Sequence, residues 1–275
     1  MCRKQSFDDY RACDALWERF EQLLPEYPVS PKGGRPRADL RDVVDAIFYC
    51  LRTGCQWKAC PPELAPGSTA HQYFQEWVAL GIFEELWTVA LEEYDDLVGL
   101  DYQWQSADGA MTKAPLGGED TGRNPTDRGK SGTKRSILTD EAGIPIGLEV
   151  GGANVPDAKL LEETLEHSEK ITPEVPSDVE EDICLDKGYD SAAIRELVEE
   201  IYSYTAHIRS RGEEVRELRR KAGEKARRWV SERCHSWLNR FRRIVIRWAK
   251  KTENYFALLE FACAYITFQR AGVFG

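Results

Sequence analysis

Apolar residues recur at helical spacing through the first hundred positions. Phe7, Tyr10, Ala15, Leu16, Phe20, Leu23 and Leu24 predict a helix over 7–24, and three prolines with two glycines predict a loop over 28–38. Leu40, Val43, Val44, Ala46, Ile47 and Leu51 predict a second helix over 39–53, stopped at Gly54. Pro61, Pro62, Pro66 and Gly67 mark the next turn, with Ser68 expected to cap a third helix through Tyr73, Phe74 and Trp77. A fourth helix is expected over 83–97.

Beyond Gly99 the period shortens. Segments 102–107, 134–139 and 144–150 carry β-branched, aromatic or alternating residues, and Asp140-Glu141-Ala142-Gly143 between the last two is a turn, so they predict three strands ending in a hairpin. A helix over 157–170, a short strand over 183–185, a helix over 192–201 and a strand over 204–208 follow. From 226 onward Trp229, Val230, Trp237, Phe241, Ile244, Val245 and Trp248, then Phe256, Leu259, Ala262 and Ile266, predict helix to the end. The order β-β-β-α-β-α-β-α is that of an α/β fold (an α+β mixed sheet with helices packed on it). We therefore expect a small all-helical N-terminal domain over 1–98 and a mixed-sheet domain over 99–275.

Composition narrows the function. The 275 residues, 42% hydrophobic and 31% charged, contain no apolar run long enough to span a membrane and no apolar leader, so a cytoplasmic protein without a membrane partner is expected. Eight cysteines are too few for a disulfide framework. Cys55, Cys60 and His71 lack paired Cys-x-x-Cys spacing, so zinc is not expected there. The net charge of −10 argues against nucleic acid only as an average. By segment it is −7 over 1–100, −10 over 101–182 and +7 over 183–275, and the basic residues concentrate over 209–251.

Three acids stand where metal ligands would be useful. Asp108 is expected to close the first strand, Asp186 closes the fourth, and Glu232 lies on the late amphipathic helix. Carboxylates converging from separate elements repel unless divalent cations lie between them. Each acid alone also reads as a turn cap or a surface ion pair, and Asp157 reads as a helix N-cap.

The residues around these acids carry a resemblance. Ser106-Ala107-Asp108-Gly109, Arg128-Gly129-Lys130-Ser131-Gly132-Thr133-Lys134-Arg135, Gly152-Ala153-Asn154-Val155-Pro156-Asp157, Leu185-Asp186-Lys187-Gly188-Tyr189-Asp190 and the run 231–243 resemble insertion-sequence DDE transposases of the insertion-sequence-five family. Leu51-Arg52-Thr53-Gly54-Cys55-Gln56-Trp57 and Phe74-Gln75-Glu76-Trp77 extend the resemblance to the N-terminal helices.

The resemblance implies an RNase H-like catalytic core, with Asp108, Asp186 and Glu232 as catalytic residues and metal ligands. It implies Mg²⁺, with Mn²⁺ able to substitute, and two ions. The reaction implied is cleavage at terminal inverted repeats and strand transfer into target DNA. The partners are those DNAs and a second copy of the chain, as a homodimer or higher assembly. Arg228 matches the arginine such enzymes carry four residues before the glutamate. Asn239, with Arg240 beside it, stands where a lysine is expected, and Lys225 where a tyrosine is. Arg233 and Arg243 join these as expected DNA contacts. Lys130, Lys134 and Arg135 read either as phosphate contacts or as part of a glycine-rich surface turn. The N-terminal helices resemble a helix-turn-helix unit with a local basic face from Lys32, Arg35, Arg37, Arg41, Arg52 and Lys58. Two other readings share the pattern: another RNase H-like DNA nuclease, and a domesticated DNA-binding protein without activity.

Overall fold

A computed structural model of the chain describes residues 10–28, 36–208 and 229–274. The expected helix start at Phe7, the loop residues Lys32 and Arg35, and the basic segment 209–228 with Lys225 and Arg228 lie outside the described residues.

Four helices open the fold: α1 (Asp14–Leu23), α2 (Leu40–Thr53), α3 (Gly67–Ala79) and α4 (Ile82–Leu97). Helix α2 ends as its sequence demands. The Asp39 carboxylate accepts the Arg41 amide at 2.8 Å, and Gly54, at φ 73°, returns its N–H to the Cys50 carbonyl. Helix α3 begins two residues earlier than expected, with Pro66 rather than Ser68 at the cap. The start is set by close approach, since a Cβ on Gly67 would lie 1.7 Å from the Trp57 carbonyl oxygen.

The sheet has six strands: β1 (Trp104–Lys113), β2 (Gly122–Arg123), β3 (Ser131–Thr139), β4 (Pro145–Gly152), β5 (Asp182–Leu185) and β6 (Thr205–Ile208). Its order is β2-β3-β1-β5-β6, with β4 also paired to β3. β1, β3 and β4 are mutually antiparallel, whereas β5 pairs parallel to β1 and β6 parallel to β5. The expected α/β mixed sheet is thus present, with the two-residue β2 added.

Helix α5 (Leu161–Ile171) and helix α7 (Trp229–Leu238) cover opposite faces of this sheet. Neighbouring residues of β3 show it: Ser136 accepts a hydrogen bond from Thr164 of α5, while Arg135 donates to Asn239 at the end of α7. Between β5 and β6 the short helix α6 (Ala192–Arg195) continues as a π-helical turn over Glu196–Ile201.

Two expectations fail in instructive ways. β1 does not stop at Asp108: pairing with β3 carries it on to Lys113, opposite Gly132, so Asp108 is interior to the strand. The expected late helix breaks after Leu238. Residues 239–241 turn, α8 (Arg242–Val245) follows, and Ile246 forms a strand-like bridge to Lys113. The break is held by Arg247, fully buried, whose backbone N–H donates to Lys113 and whose guanidinium donates to Thr133, Thr252 and the Glu119 carbonyl.

Helix α9 (Thr252–Arg270) returns to pack along α4. Its Phe261 touches Phe20, Phe48 and Phe83 of α1, α2 and α4, with ring centroids 5.5–5.7 Å apart. Trp87 of α4 donates to the Pro145 carbonyl of β4, and one hydrophobic core runs from the first helices through the sheet.

Candidate active site

Strand register sets the distance between the first two acids. The parallel β1–β5 ladder ends at Ser106 opposite Cys184, so two residues farther along each chain Asp108 and Asp186 leave the ladder side by side. β1 runs on, paired only with β3 on its other edge, and that unpaired edge borders the acids. Asp186 caps the following turn, its Oδ1 accepting the Gly188 amide at 2.6 Å.

Tyr189, three residues later, lies beneath them. Its hydroxyl is buried, without a hydrogen-bond partner among the described residues. Burial and then the charges of Asp157, Asp108 and Asp186 push its pKa well above the usual phenol range. The three carboxylates thus lie near enough to Tyr189 for their charges to act on it.

Asp157 was expected only to cap a helix; instead it opens a 3₁₀ turn over Asp157–Lys159 and forms an ion pair. Lys134 Nζ lies 3.0 Å from its Oδ1 and donates to the Val155 carbonyl at 2.7 Å. Gly109 makes room for the pair, because a Cβ there would lie 1.8 Å from Asp157 Oδ1. That glycine was the available signal: a glycine inside a strand marks a close approach.

Glu232 is carried by α7, which lies across β1. Ser231 Oγ is 3.3 Å from Ser106 Oγ, and His235 Nε2 is 3.4 Å from the Asp108 carbonyl oxygen. These two contacts bracket Glu232, whose own side chain is exposed. His235 is held neutral, its pKa pushed down to about 3 first by burial and then by the Arg135 charge, so the ring N–H donates to Asp108.

The basic residues divide. Lys130 and Arg240 are exposed, Lys130 in the turn before β3. Lys134 is only 5% exposed and belongs to the acid cluster. Arg135, expected on DNA, is 2% exposed and donates to Asn239 Oδ1 at 2.6 Å, so it braces the end of α7 from below while Asn239 itself is exposed. Arg233 lies between the rings of Trp229 and Trp237 and donates to the Ala142 carbonyl, fixing α7 to the β3–β4 turn. Arg243 donates to the Cys55 carbonyl at 3.0 Å and lies over Trp57.

The N-terminal cations are similarly occupied. Arg41 pairs with Asp14 and Asp45, Arg37 lies over Tyr27, and Arg52 over Phe241 and Tyr265. Lys58 is exposed.

Asp108, Asp186 and Glu232 offer carboxylate oxygens from three separate elements, the donor type that a hard divalent cation takes. The triples of ligand atoms that close to within 4.8 Å among the described residues lie elsewhere: Cys50, Cys55 and Cys60, and Glu84, His167 and Glu260. No helix among the described residues is long and apolar enough to cross a membrane.

A family model described as a transposase DDE domain matches residues 102–267, and one described as a putative transposase of the IS4/5 family matches residues 13–87. The putative transposase for insertion sequence element IS402 of Burkholderia cepacia is 34% identical over 152 residues, covering 53% of this chain and 67% of that protein. An uncharacterized 16.2 kDa protein of insertion element IS402 from the same organism is 28% identical over 118 residues, 41% of this chain and 79% of its own. Among solved structures, the catalytic domain of Mos1 mariner transposase is similar at a TM-score of 0.29 and 10% identity, covering 59% of this chain and 90% of that one.

Proposed function

The chain belongs to the DDE transposase family, and from that membership we propose that Asp108, Asp186 and Glu232 are the acids with which this insertion-sequence transposase cleaves and rejoins DNA. The supporting observation is the register that leaves Asp108 and Asp186 side by side where the β1–β5 ladder ends, with Glu232 on the helix crossing them.

The family's chemistry depends on a divalent cation. In our reading it is Mg²⁺, with Mn²⁺ able to substitute, and two ions are held by these three carboxylates. When bound, such ions stabilise charge on the transferring phosphate and lower the pKa of the attacking hydroxyl or water.

The chain's own residues prepare that site. Asp108 is fixed from both sides, by the β3 ladder and by the His235 contact to its carbonyl. Asp186 is oriented by the Gly188 amide. Lys134 neutralises Asp157, so the fourth acid sits beside the triad as one half of an ion pair. The exposed Lys130 and Arg240, together with the basic segment 209–228, supply the phosphate contacts. Residues 1–98 read the terminal inverted repeats, residues 99–275 carry out the chemistry, and two copies of the chain bring two ends together.

Three variants test this reading: Asp108→Asn, Asp186→Asn and Glu232→Gln. Each should lower cleavage of a duplex carrying the element's terminal repeat by at least about 10²- to 10³-fold, with gel-shift affinity for the same duplex retained. A variant that cleaves at the wild-type rate removes that acid from the assignment.

A further inference from the structure

Far from the acids, three sulfurs meet. Cys50 lies in the last turn of α2, Cys55 follows the left-handed Gly54, and Cys60 follows a 3₁₀ turn over Trp57–Ala59, so the chain folds back on itself twice in a Cys-x₄-Cys-x₄-Cys segment. Cys50 Sγ is 3.2 Å from Cys60 Sγ and 3.7 Å from Cys55 Sγ, and the three lie within 4.8 Å of one another. Thiolates on a tetrahedral cation with metal–sulfur bonds of ~2.3 Å stand roughly 3.8 Å apart, close to this arrangement.

The surroundings hold the loop in that shape. Gly54 packs against Arg242, where a Cβ would come within 3.0 Å of the arginine's own. Trp57 is wedged between His71, Phe74 and the Gly67 backbone. Arg243 donates to the Cys55 carbonyl at 3.0 Å, which fixes the loop between Cys55 and Cys60. Cys50 is buried while Cys55 and Cys60 are half-buried, so the cluster has one closed side and one side from which a cation can enter.

We propose that Cys50, Cys55 and Cys60 form a binding site for one thiophilic divalent cation of the zinc class, held by three thiolates with a fourth position left for water. The donor set is soft, unlike the oxygen donors of the active site, so the two sites select different metals. Bound there, the cation ties the end of α2 to the loop that Arg243 grips, and so joins the N-terminal helices to α8, which follows the helix carrying Glu232. Cysteine spacing argued against zinc because Cys55, Cys60 and His71 lack the paired Cys-x-x-Cys form. Folding adds Cys50 as the third ligand.

Cobalt is the probe, since Co²⁺ on thiolates has sulfur-to-metal charge-transfer absorption and tetrahedral ligand-field bands. The reduced full-length protein, titrated with Co²⁺, should develop both sets of bands at one equivalent, and Zn²⁺ should erase them. Cys55→Ser and Cys60→Ser alter half-buried positions, and either should reduce the charge-transfer intensity to about two-thirds, as three thiolates become two. Cys13→Ser, at an exposed cysteine outside the cluster, should leave it unchanged. Circular dichroism identifies any variant that has not folded, and the wild-type titration stands without the variants. Absence of thiolate bands in the reduced wild-type protein would overturn the proposal, as would full intensity in both folded serine variants. A Cys50–Cys60 disulfide that forms in place of metal binding when reduced protein is offered Zn²⁺ in air would also overturn it.

Discussion

A methyl group at Gly109 would need the space now taken by the Asp157 carboxylate. Gly109→Ala is therefore expected to break the Asp157–Lys134 pair and displace β1 next to Asp108. The cost should be about 1–3 kcal/mol, as for overpacking elsewhere, together with loss of cleavage at unchanged end binding. Urea denaturation and the terminal-repeat assay measure the two effects separately. His235 acts on Asp108 only through its carbonyl, so it is a positioning residue. His235→Gln, which keeps a donor, should retain more cleavage than His235→Leu, which keeps only bulk, and comparison of their kcat values decides it.

Between elements, the buried group Glu84, His167 and Glu260 joins α4, α5 and α9. Burial pushes Glu260 up to about 8 and His167 down to about 4, with Glu84 and Lys170 as the charges facing them. A carboxyl raised in the fold holds a proton the unfolded chain has released, so its contribution is complete below the unfolded value and lost as pH rises toward 8. A histidine lowered in the fold acts oppositely, costing stability as pH falls from 6.5 toward 4. The two slopes oppose one another in mildly acidic solution. Asp140, raised to about 7 by burial, adds to the loss below neutrality. Between pH 7 and 8 the decline belongs to Glu260, at up to about 1.4 kcal/mol per pH unit. Glu260→Gln should flatten that interval in chemical denaturation, and an unchanged slope would assign it to another group.

Over the whole molecule, α9 is the element that joins the N-terminal helices to the rest of the fold. Phe261 fills the centre of an aromatic cluster built from α1, α2 and α4, although it is far from them in sequence. Phe261→Ala should cost about 3–5 kcal/mol and lower a single thermal transition. Two separated transitions would mean that the helical and sheet parts melt independently. By the same packing, residues 1–98 expressed alone should lack helical circular dichroism of native strength, because the α4 face is left without its partner. Charge is divided differently from packing. The acidic balance up to residue 182 and the basic balance after it confine phosphate contact to a minority of the surface. DNA affinity should fall steeply with salt even though the whole chain is negative, a slope that filter binding across a salt series would give.

Where a property depends on neighbours in the chain, the residues alone were enough. Asp39 and Gly54 bound α2 because caps are local, and the turn 140–143 makes a hairpin because its residues do. The mixed-sheet class was legible as runs of period, and the family from motifs that lie along the chain. What the tertiary structure decided was which polar groups meet. Arg135 and Arg233 look like DNA contacts by charge but are taken up by Asn239 and two tryptophans, Asp157 looks like a cap but pairs with Lys134, and Cys50 looks like core but joins two other sulfurs. A buried charge is stable only with a partner, and those partners are brought from distant parts of the chain by strand register and helix crossing, which no local pattern encodes.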